Sequence, residues 1–283
     1  MSSLTTAVTS ASSARARVAP ESRGIWATLL LPALSLWQRE IVRFYRMKSR
    51  VVGVIASPAL FWLVIGSGFG KSVNAGRAPG YLAYFFPGAV IMIVLFTAIF
   101  TMMSVIEDRR EGFLLSVLVS PASRSAIVLG KVLGGATLAT AQGLTFLIFA
   151  PFIGAPMNLA AWGVALLAIF LVAFSLTALG FIIACRLDST QAFHAIINLF
   201  LIPLWLISGA LFPIGGASGW MRALMLANPL TYGVEALRMA VFSLAANDTG
   251  VSLAFSLALL GGFAALMFAG ALMIASRRRT LPA

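Results

Sequence analysis

The sequence predicts an all-α integral membrane protein with six membrane-spanning helices, and three observations carry that expectation. Of 283 residues, 60% are hydrophobic and only 10% charged, with a mean hydropathy of +1.00. A soluble domain carries about 25% charge, so most of this chain belongs in lipid rather than around a water-facing core. The apolar residues gather into runs long enough for a hydrocarbon core of roughly 30 Å, separated by short polar stretches. Lys and Arg, finally, fall very unevenly about those runs.

Residues 1–24 are rich in Ser, Ala, Thr and Arg with one acid, Glu21. This is the composition of a disordered cytoplasmic tail. It also resembles an organelle transit peptide and lacks the apolar core of a secretory signal. Over residues 25–50, Leu30, Leu34, Trp37, Ile41, Phe44 and Tyr45 recur at spacings of three and four, with Arg39, Glu40, Arg43, Arg46, Lys48 and Arg50 between them. The pattern predicts an amphipathic interfacial helix whose basic face meets anionic head groups.

The first span is expected at about 51–69, with Pro58 tolerated inside it. It runs into Ile65-Gly66-Ser67-Gly68-Phe69-Gly70-Lys71-Ser72. That string resembles a phosphate-binding loop, but Ile65 stands where the motif needs Gly, and no strand precedes it. It reads as a glycine-rich helix end and loop, so nucleotide binding is not expected of this chain. A loop with Lys71, Arg77 and Pro79 leads to the second span, about 81–106, where Tyr81, Tyr84, Phe85 and Phe86 suggest an interfacial belt and Pro87-Gly88 an early interruption.

A polar knot follows: Glu107-Asp108-Arg109-Arg110-Glu111-Gly112, the apolar Phe113-Leu114-Leu115-Ser116-Val117-Leu118-Val119, then Ser120-Pro121-Ala122-Ser123-Arg124. From Glu107 to Lys131 it holds seven of the 28 charged residues. The third span is expected at about 126–152, with Gly130 and Gly134 spaced for close helix approach and Lys131 near enough the end to snorkel. A turn at Gly154-Ala155-Pro156 leads to the fourth span, about 159–184. The loop Arg186, Asp188, Ser189, Thr190 precedes the fifth, about 192–212, which contains Pro203.

Residues 213–247 are neither a clean span nor a soluble domain. Pro213, Gly215-Gly216, Trp220, Arg222, Asn228-Pro229-Leu230-Thr231-Tyr232-Gly233, Glu235 and Arg238 punctuate an apolar background, which suits short helices that enter the outer membrane surface and return. Glu235 and Arg238, three apart on a helix, are placed to pair. The last span, about 251–275, is uncharged and ends in a basic tail, 276–283.

Six spans put both termini on one side. On that side lie eight Lys and Arg before the first span, four from the knot through Lys131, one at Arg186 and three in the tail, sixteen in all; the other side has Lys71, Arg77, Arg222 and Arg238. The positive-inside rule makes the first side cytoplasmic. The formal charge of +12 is thus topological rather than a nucleic-acid face. A single Cys185 excludes an intramolecular disulfide and any multi-thiolate metal site, and reads as a small buried hydrophobe. His194, the only histidine, has no carboxylate or cysteine neighbours in sequence and reads as a head-group or packing residue.

The knot also carries a resemblance. Glu107 to Glu111, Gly112-Phe113-Leu114 and Ser120-Pro121-Ala122-Ser123-Arg124 resemble the cytoplasmic loop of the type-2 ATP-binding-cassette exporter permeases, the membrane subunits of drug, polysaccharide and nodulation-factor exporters. Many members carry Glu where this chain has Leu115. Ser208-Gly209-Ala210-Leu211-Phe212-Pro213 resembles the family's end to the fifth span, and Asn228-Pro229-Leu230-Thr231-Tyr232 with Arg238 its re-entrant outer helices. The daunorubicin-resistance type is the nearest likeness in pattern, and the resemblance covers most of residues 30–279.

The resemblance implies six spans in residues 51–275, an interfacial helix before them and a coupling helix between spans two and three. It implies two permeases, here a homodimer, with two copies of a cytoplasmic ATP-binding subunit that binds ATP and Mg, so that this chain needs no cofactor and is not an enzyme. Catalytic and metal sites are not expected. The coupling interface is expected at Glu107, Arg109, Arg110, Glu111, Gly112, Phe113, Leu114, Val117, Leu118, Pro121, Ser123 and Arg124, and the re-entrant region at Pro213, Asn228, Pro229, Tyr232, Glu235 and Arg238. The implied role is export of a drug-like, lipid-like or glycan substrate across the bacterial cytoplasmic (inner) membrane. The rivals are an ion-gradient-driven secondary transporter, whose spans would carry deep acids or histidines, an intramembrane enzyme, and a non-transporting anchor.

Overall fold

The computed structural model describes residues 26–73, 80–112, 123–242 and 250–277, and every regular element among them is helical. In chain order these are α1 (Leu31–Arg46), entered through one π-turn (Trp26–Leu30); α2 (Lys48–Val73); α3 (Tyr81–Arg110), with a one-residue irregularity at Met102; α4 (Arg124–Leu147); α5 (Leu159–Arg186); α6 (Thr190–Trp205), continued by a π-turn (Leu206–Ala210); α7 (Gly219–Ala227); α8 (Pro229–Phe242); and α9 (Leu253–Arg277).

Five helices among the described residues are long and apolar enough to cross a membrane: Tyr81–Arg110, Arg124–Leu147, Leu159–Arg186, Thr190–Ala210 and Leu253–Ser276. The chain is therefore an integral membrane protein. The helix expected as the first span is α2, whose strongly apolar portion, Ile55–Gly68, is shorter than the others. Two boundaries differ from expectation. Met47 interrupts the helix expected over 25–50, so that Lys48 to Arg50 open α2 rather than close α1. The glycine-rich string at 65–72 forms the end of α2, as expected, but stays helical through Ser72 rather than passing into a loop.

The bundle is built around α3, which is apolar on all sides over Tyr81–Thr101 and mostly buried, with a half-buried stripe at Met92, Phe96, Phe100 and Met103. It packs on α2, α4, α5, α8 and the π-turn after α6. Phe85, Phe86, Ile91, Ile93, Leu95 and Ile99 are buried. The aromatic cluster at its start is thus core rather than interfacial belt. Trp62 of α2 meets the rings of Phe86 and Phe146 edge-on at 5.4 and 5.6 Å. Pro87-Gly88 does not interrupt α3. A Cβ on Gly88 would lie 2.9 Å from the Ala210 Cα, so the glycine admits the backbone of the π-turn. At the periphery, Leu60 and Val64 of α2, Leu199 and Phe200 of α6, and Phe255 and Leu266 of α9 are exposed, as lipid-facing side chains are.

Candidate functional site around the 107–124 knot

α1 was expected to lie on the membrane with its cations against head groups. It packs along α4. Its buried stripe is Ala33, Leu36, Glu40 and Phe44, while Leu34 and Tyr45 of the expected apolar face point outward. The contact is close because α4 presents glycines to it. A Cβ on Gly130 would come within 2.6 Å of the Ala33 carbonyl oxygen, and one on Gly134 within 2.9 Å of the Glu40 Cβ. The spacing of four was therefore a close-approach signal, with α1 as the partner. Trp37 Nε1 adds a 3.1 Å hydrogen bond to Thr137 Oγ1.

At one end of this seam, three cations meet three carboxylates. Asp108, fully buried at the end of α3, accepts both arms of Arg39 at 2.8 and 3.0 Å and one arm of Arg43 at 2.9 Å. Arg43 gives its other arm to Glu107 at 2.6 Å. Lys131 of α4, 1% exposed, donates to Glu40 at 2.6 Å, to Ser104 Oγ at 3.0 Å and to Asp108. The hydrogen bond to Asp108 holds the Arg39 guanidinium above its ordinary pKa. Two expectations fail here for one reason. Lys131 does not snorkel, and Arg39 and Arg43 do not face lipid, because buried carboxylates within reach offer charge-assisted hydrogen bonds.

The other knot residues grip neighbouring helix ends. Arg109 donates to the Ala184 carbonyl at 3.0 Å and the Leu187 carbonyl at 3.2 Å, capping the C-terminus of α5, and lies 3.3 Å from Asp188. Cations there satisfy carbonyls that lack intrahelical donors. Arg110 Nε donates to the Asp188 carbonyl at 3.1 Å. Arg124 does for α9 what Arg109 does for α5, donating to the Ala275 and Ser276 carbonyls at 3.3 and 3.4 Å. Ser123 caps α4, its Oγ accepting from Ala126 N at 3.2 Å, while its own N–H donates to the Thr28 carbonyl at 2.9 Å. Gly112 closes α3 at φ +74°, in the left-handed region that favours glycine. Glu111 is exposed and stands outside these ion pairs. Phe113, Leu114, Val117, Leu118 and Pro121 lie outside the described residues.

The second polar group gathers beneath α7 and α8. Pro213 starts a short 3-10 turn (Ile214–Gly216). Asn228 Oδ1 accepts from Leu230 N at 3.0 Å, ahead of Pro229 in the first turn of α8, and its amide donates to the Leu204 carbonyl at 2.6 Å. Tyr232 donates to the Leu226 carbonyl at 2.8 Å, folding α8 back on α7. Glu235 and Arg238 form the expected pair, 3.0 Å apart and buried. Arg238 also donates to the Gly209 carbonyl at 2.9 Å, and Tyr84 to the same oxygen at 3.0 Å. Gly209 is left-handed at φ +77°, which turns its carbonyl toward them.

An apolar groove of about 410 Å³ opens between α2, α3 and α6, lined by Ser57, Pro58, Phe96, Phe100 and His194 among others. His194 packs on Phe100, ring centroids 5.1 Å apart. Cys185 is buried. Among the described residues, groups of His, Cys, Asp and Glu suited to a metal ion are absent. The network around the knot was missed in sequence, although one signal pointed to it: Lys131 is a lone cation inside an apolar run, and such a residue calls for a partner.

The described residues thus form an all-helical membrane bundle in which buried charges pin helix ends. Residues 33–242 match the model of the ABC-2 type transporter family, and the chain belongs to that family as a permease subunit. It is 26% identical over 216 residues to nodulation protein J of Sinorhizobium fredii, covering 74% of this chain and 80% of that protein. It is 26% identical over 244 residues to the daunorubicin resistance ABC transporter permease protein DrrB1 of Streptomyces coeruleorubidus, covering 82% of each. The ycf38 protein of Cyanophora paradoxa, named as a transport permease, is 26% identical over 207 residues, 72% of this chain and 71% of that one. Permeases of this family carry no catalytic activity of their own, and family membership implies an ATP-binding partner subunit.

Proposed function

We propose that this chain is the permease of an ATP-driven exporter in the bacterial cytoplasmic membrane, moving a drug-like, lipid-like or glycan substrate outward. Two copies of it form the gate, α2 serving as the first of six spans in each. Two ATP-binding subunits, which hold ATP and Mg, grip the segment from Glu107 to Arg124. Both termini and this segment face the cytoplasm, in keeping with sixteen Lys and Arg on that side against four on the other. Closure of the ATP-binding subunits pushes the loop as a lever, and the bundle passes between inward-open and outward-open states of different substrate affinity. α7 and α8 form the re-entrant outer cover.

The observation that supports this most is that the residues framing the loop are fastened to other helix ends. Arg109 holds α5, Arg110 the α5–α6 turn, Arg124 holds α9, and Asp108 binds α1 and α4. A displacement of that frame reaches the whole cytoplasmic side. Uncharged outer faces and the apolar groove suit an amphipathic substrate that enters from the bilayer. A proton carrier fits less well, since Glu40, Asp108 and Glu235 are each neutralised by a cation of the protein.

The test is reconstitution with a candidate ATP-binding subunit in phospholipid vesicles. Permease-dependent ATP hydrolysis is expected, abolished by Glu111→Ala. Ion-driven flux without ATP rejects the reading, and labelling of a cysteine at Ser116 from outside intact cells rejects the orientation.

A further inference from the structure

We infer that Lys131 is a positioning residue for energy coupling: it ties α1 to the loop-bearing ends of α3 and α4, so that the three move as one body when the loop is pushed. The inference rests on the ATP-driven reading above, gives Lys131 a role, and adds an element, α1, that the knot itself does not contain.

The argument starts from place and charge. Lys131 is seven residues into α4, buried, and its ammonium donates to Glu40 on α1 and to Ser104 and Asp108 on α3. Three donors are thus spent on three acceptors from two other helices. Arg39 and Arg43 close the circuit from the α1 side. The whole group balances, with Arg39, Arg43 and Lys131 against Glu40, Glu107 and Asp108. A cation used only to anchor a helix end would reach for water or head groups. Lys131 instead sits where α1, α3 and α4 meet, and the glycines at 130 and 134 bring α1 close enough for it to do so. Buried ion pairs are costly to assemble from solvated ions, so their use points to specificity of arrangement rather than to bulk stability.

The charge count supplies the separating experiment. Lys131→Met leaves two cations against three carboxylates and is expected to fold poorly. Lys131→Met with Glu40→Gln leaves two against two, and Asp108 keeps both arginines, but the charged tie between α1 and α4 is gone, with the Trp37–Thr137 hydrogen bond and the glycine contact left in place. If Lys131 is only a structural counter-ion, the double variant regains both folding and function. If it positions the lever, the double variant regains expression and a monodisperse elution profile, while permease-dependent ATP hydrolysis falls roughly tenfold or more, as a coupling free energy of ordinary size would give.

A second measurement does not depend on any Lys131 variant. Spin labels at Gln38→Cys on α1 and Ser125→Cys on α4, both exposed positions, are expected to keep one narrow separation with and without a trapped nucleotide. A change on the order of one helical turn, ~5 Å, shows that α1 moves independently and overturns the inference. A double variant that hydrolyses ATP like the native complex overturns it too. A native complex with no permease-dependent hydrolysis overturns the ATP-driven reading, and this inference with it.

Discussion

Gly130→Ala is the sharpest test of the α1–α4 seam. Within a helix, Ala replaces Gly with a gain of about 1 kcal/mol, so an uncrowded site should be stabilised. Gly130 is crowded. A Cβ there would stand 2.6 Å from the Ala33 carbonyl oxygen, 2.8 Å from the Leu36 Cβ and 3.2 Å from the Ala33 Cα, and two of these atoms are backbone. Ordinary contact begins at 3.4 Å, so α1 must retreat by 3.4 less 2.6, or 0.8 Å. That retreat would stretch the 2.6 Å bond from Lys131 to Glu40 to near the limit of a hydrogen bond. Overpacking of this kind costs about 1–3 kcal/mol.

The control is Gly163→Ala in α5, where a Cβ meets nothing within 4 Å. Both substitutions share the helix-propensity gain, so the difference between them isolates the crowding. It is expected at about 2 kcal/mol, or roughly 4–8 °C in the midpoint of thermal unfolding in lipid nanodiscs. Equal midpoints would mean that α1 is not seated on α4, and the account of the ion-pair network would fall with the seam.

Three further outcomes follow from the same contacts. Gly112→Ala is expected to lower stability by about 1 kcal/mol although the added methyl meets nothing, because φ is +74°; Gly112→Asn should recover part of the loss, read by thermal unfolding and permease-dependent ATP hydrolysis. Arg109→Ala removes the donors at the end of α5 and should cost about 1–3 kcal/mol, with faster amide exchange at the last turn of that helix; Arg109→Lys should not restore both carbonyl contacts. Arg238→Met leaves Glu235 charged and buried, an expected loss of about 3–5 kcal/mol, and adding Glu235→Gln should return most of it, measured as a double-mutant cycle on unfolding.

Five of the six expected spans were legible because uncharged runs of membrane length admit few alternatives, and Glu235–Arg238 because its two members are three residues apart on one helix. The glycine pair announced a close neighbour but not which one, since spacing along α4 carries no information about α1. The network at the knot stayed hidden for the same reason. Lys131 and Glu40 are 91 residues apart, and Arg39 and Asp108 are 69 apart. Periodicity also misled: the stripe read on α1 assumed one apolar face, whereas the stripe enclosed against α4 is a different one and carries Glu40. The aromatics at the start of α3 deceived similarly, because composition alone does not separate a membrane-surface belt from a core.

The balance of charge around Lys131 has an electrical meaning. An unpaired ion carried across the membrane field does work of about 2.3 kcal/mol per 100 mV. Arg39, Arg43 and Lys131 offset Glu40, Glu107 and Asp108, so a shift of these six as a unit, as proposed above, would itself contribute no net gating charge. Any voltage dependence of the proposed lever is therefore expected to come from the charges outside this group, Arg46, Arg109, Arg110, Arg124 and Glu111, and to show when the potential across the vesicle is clamped.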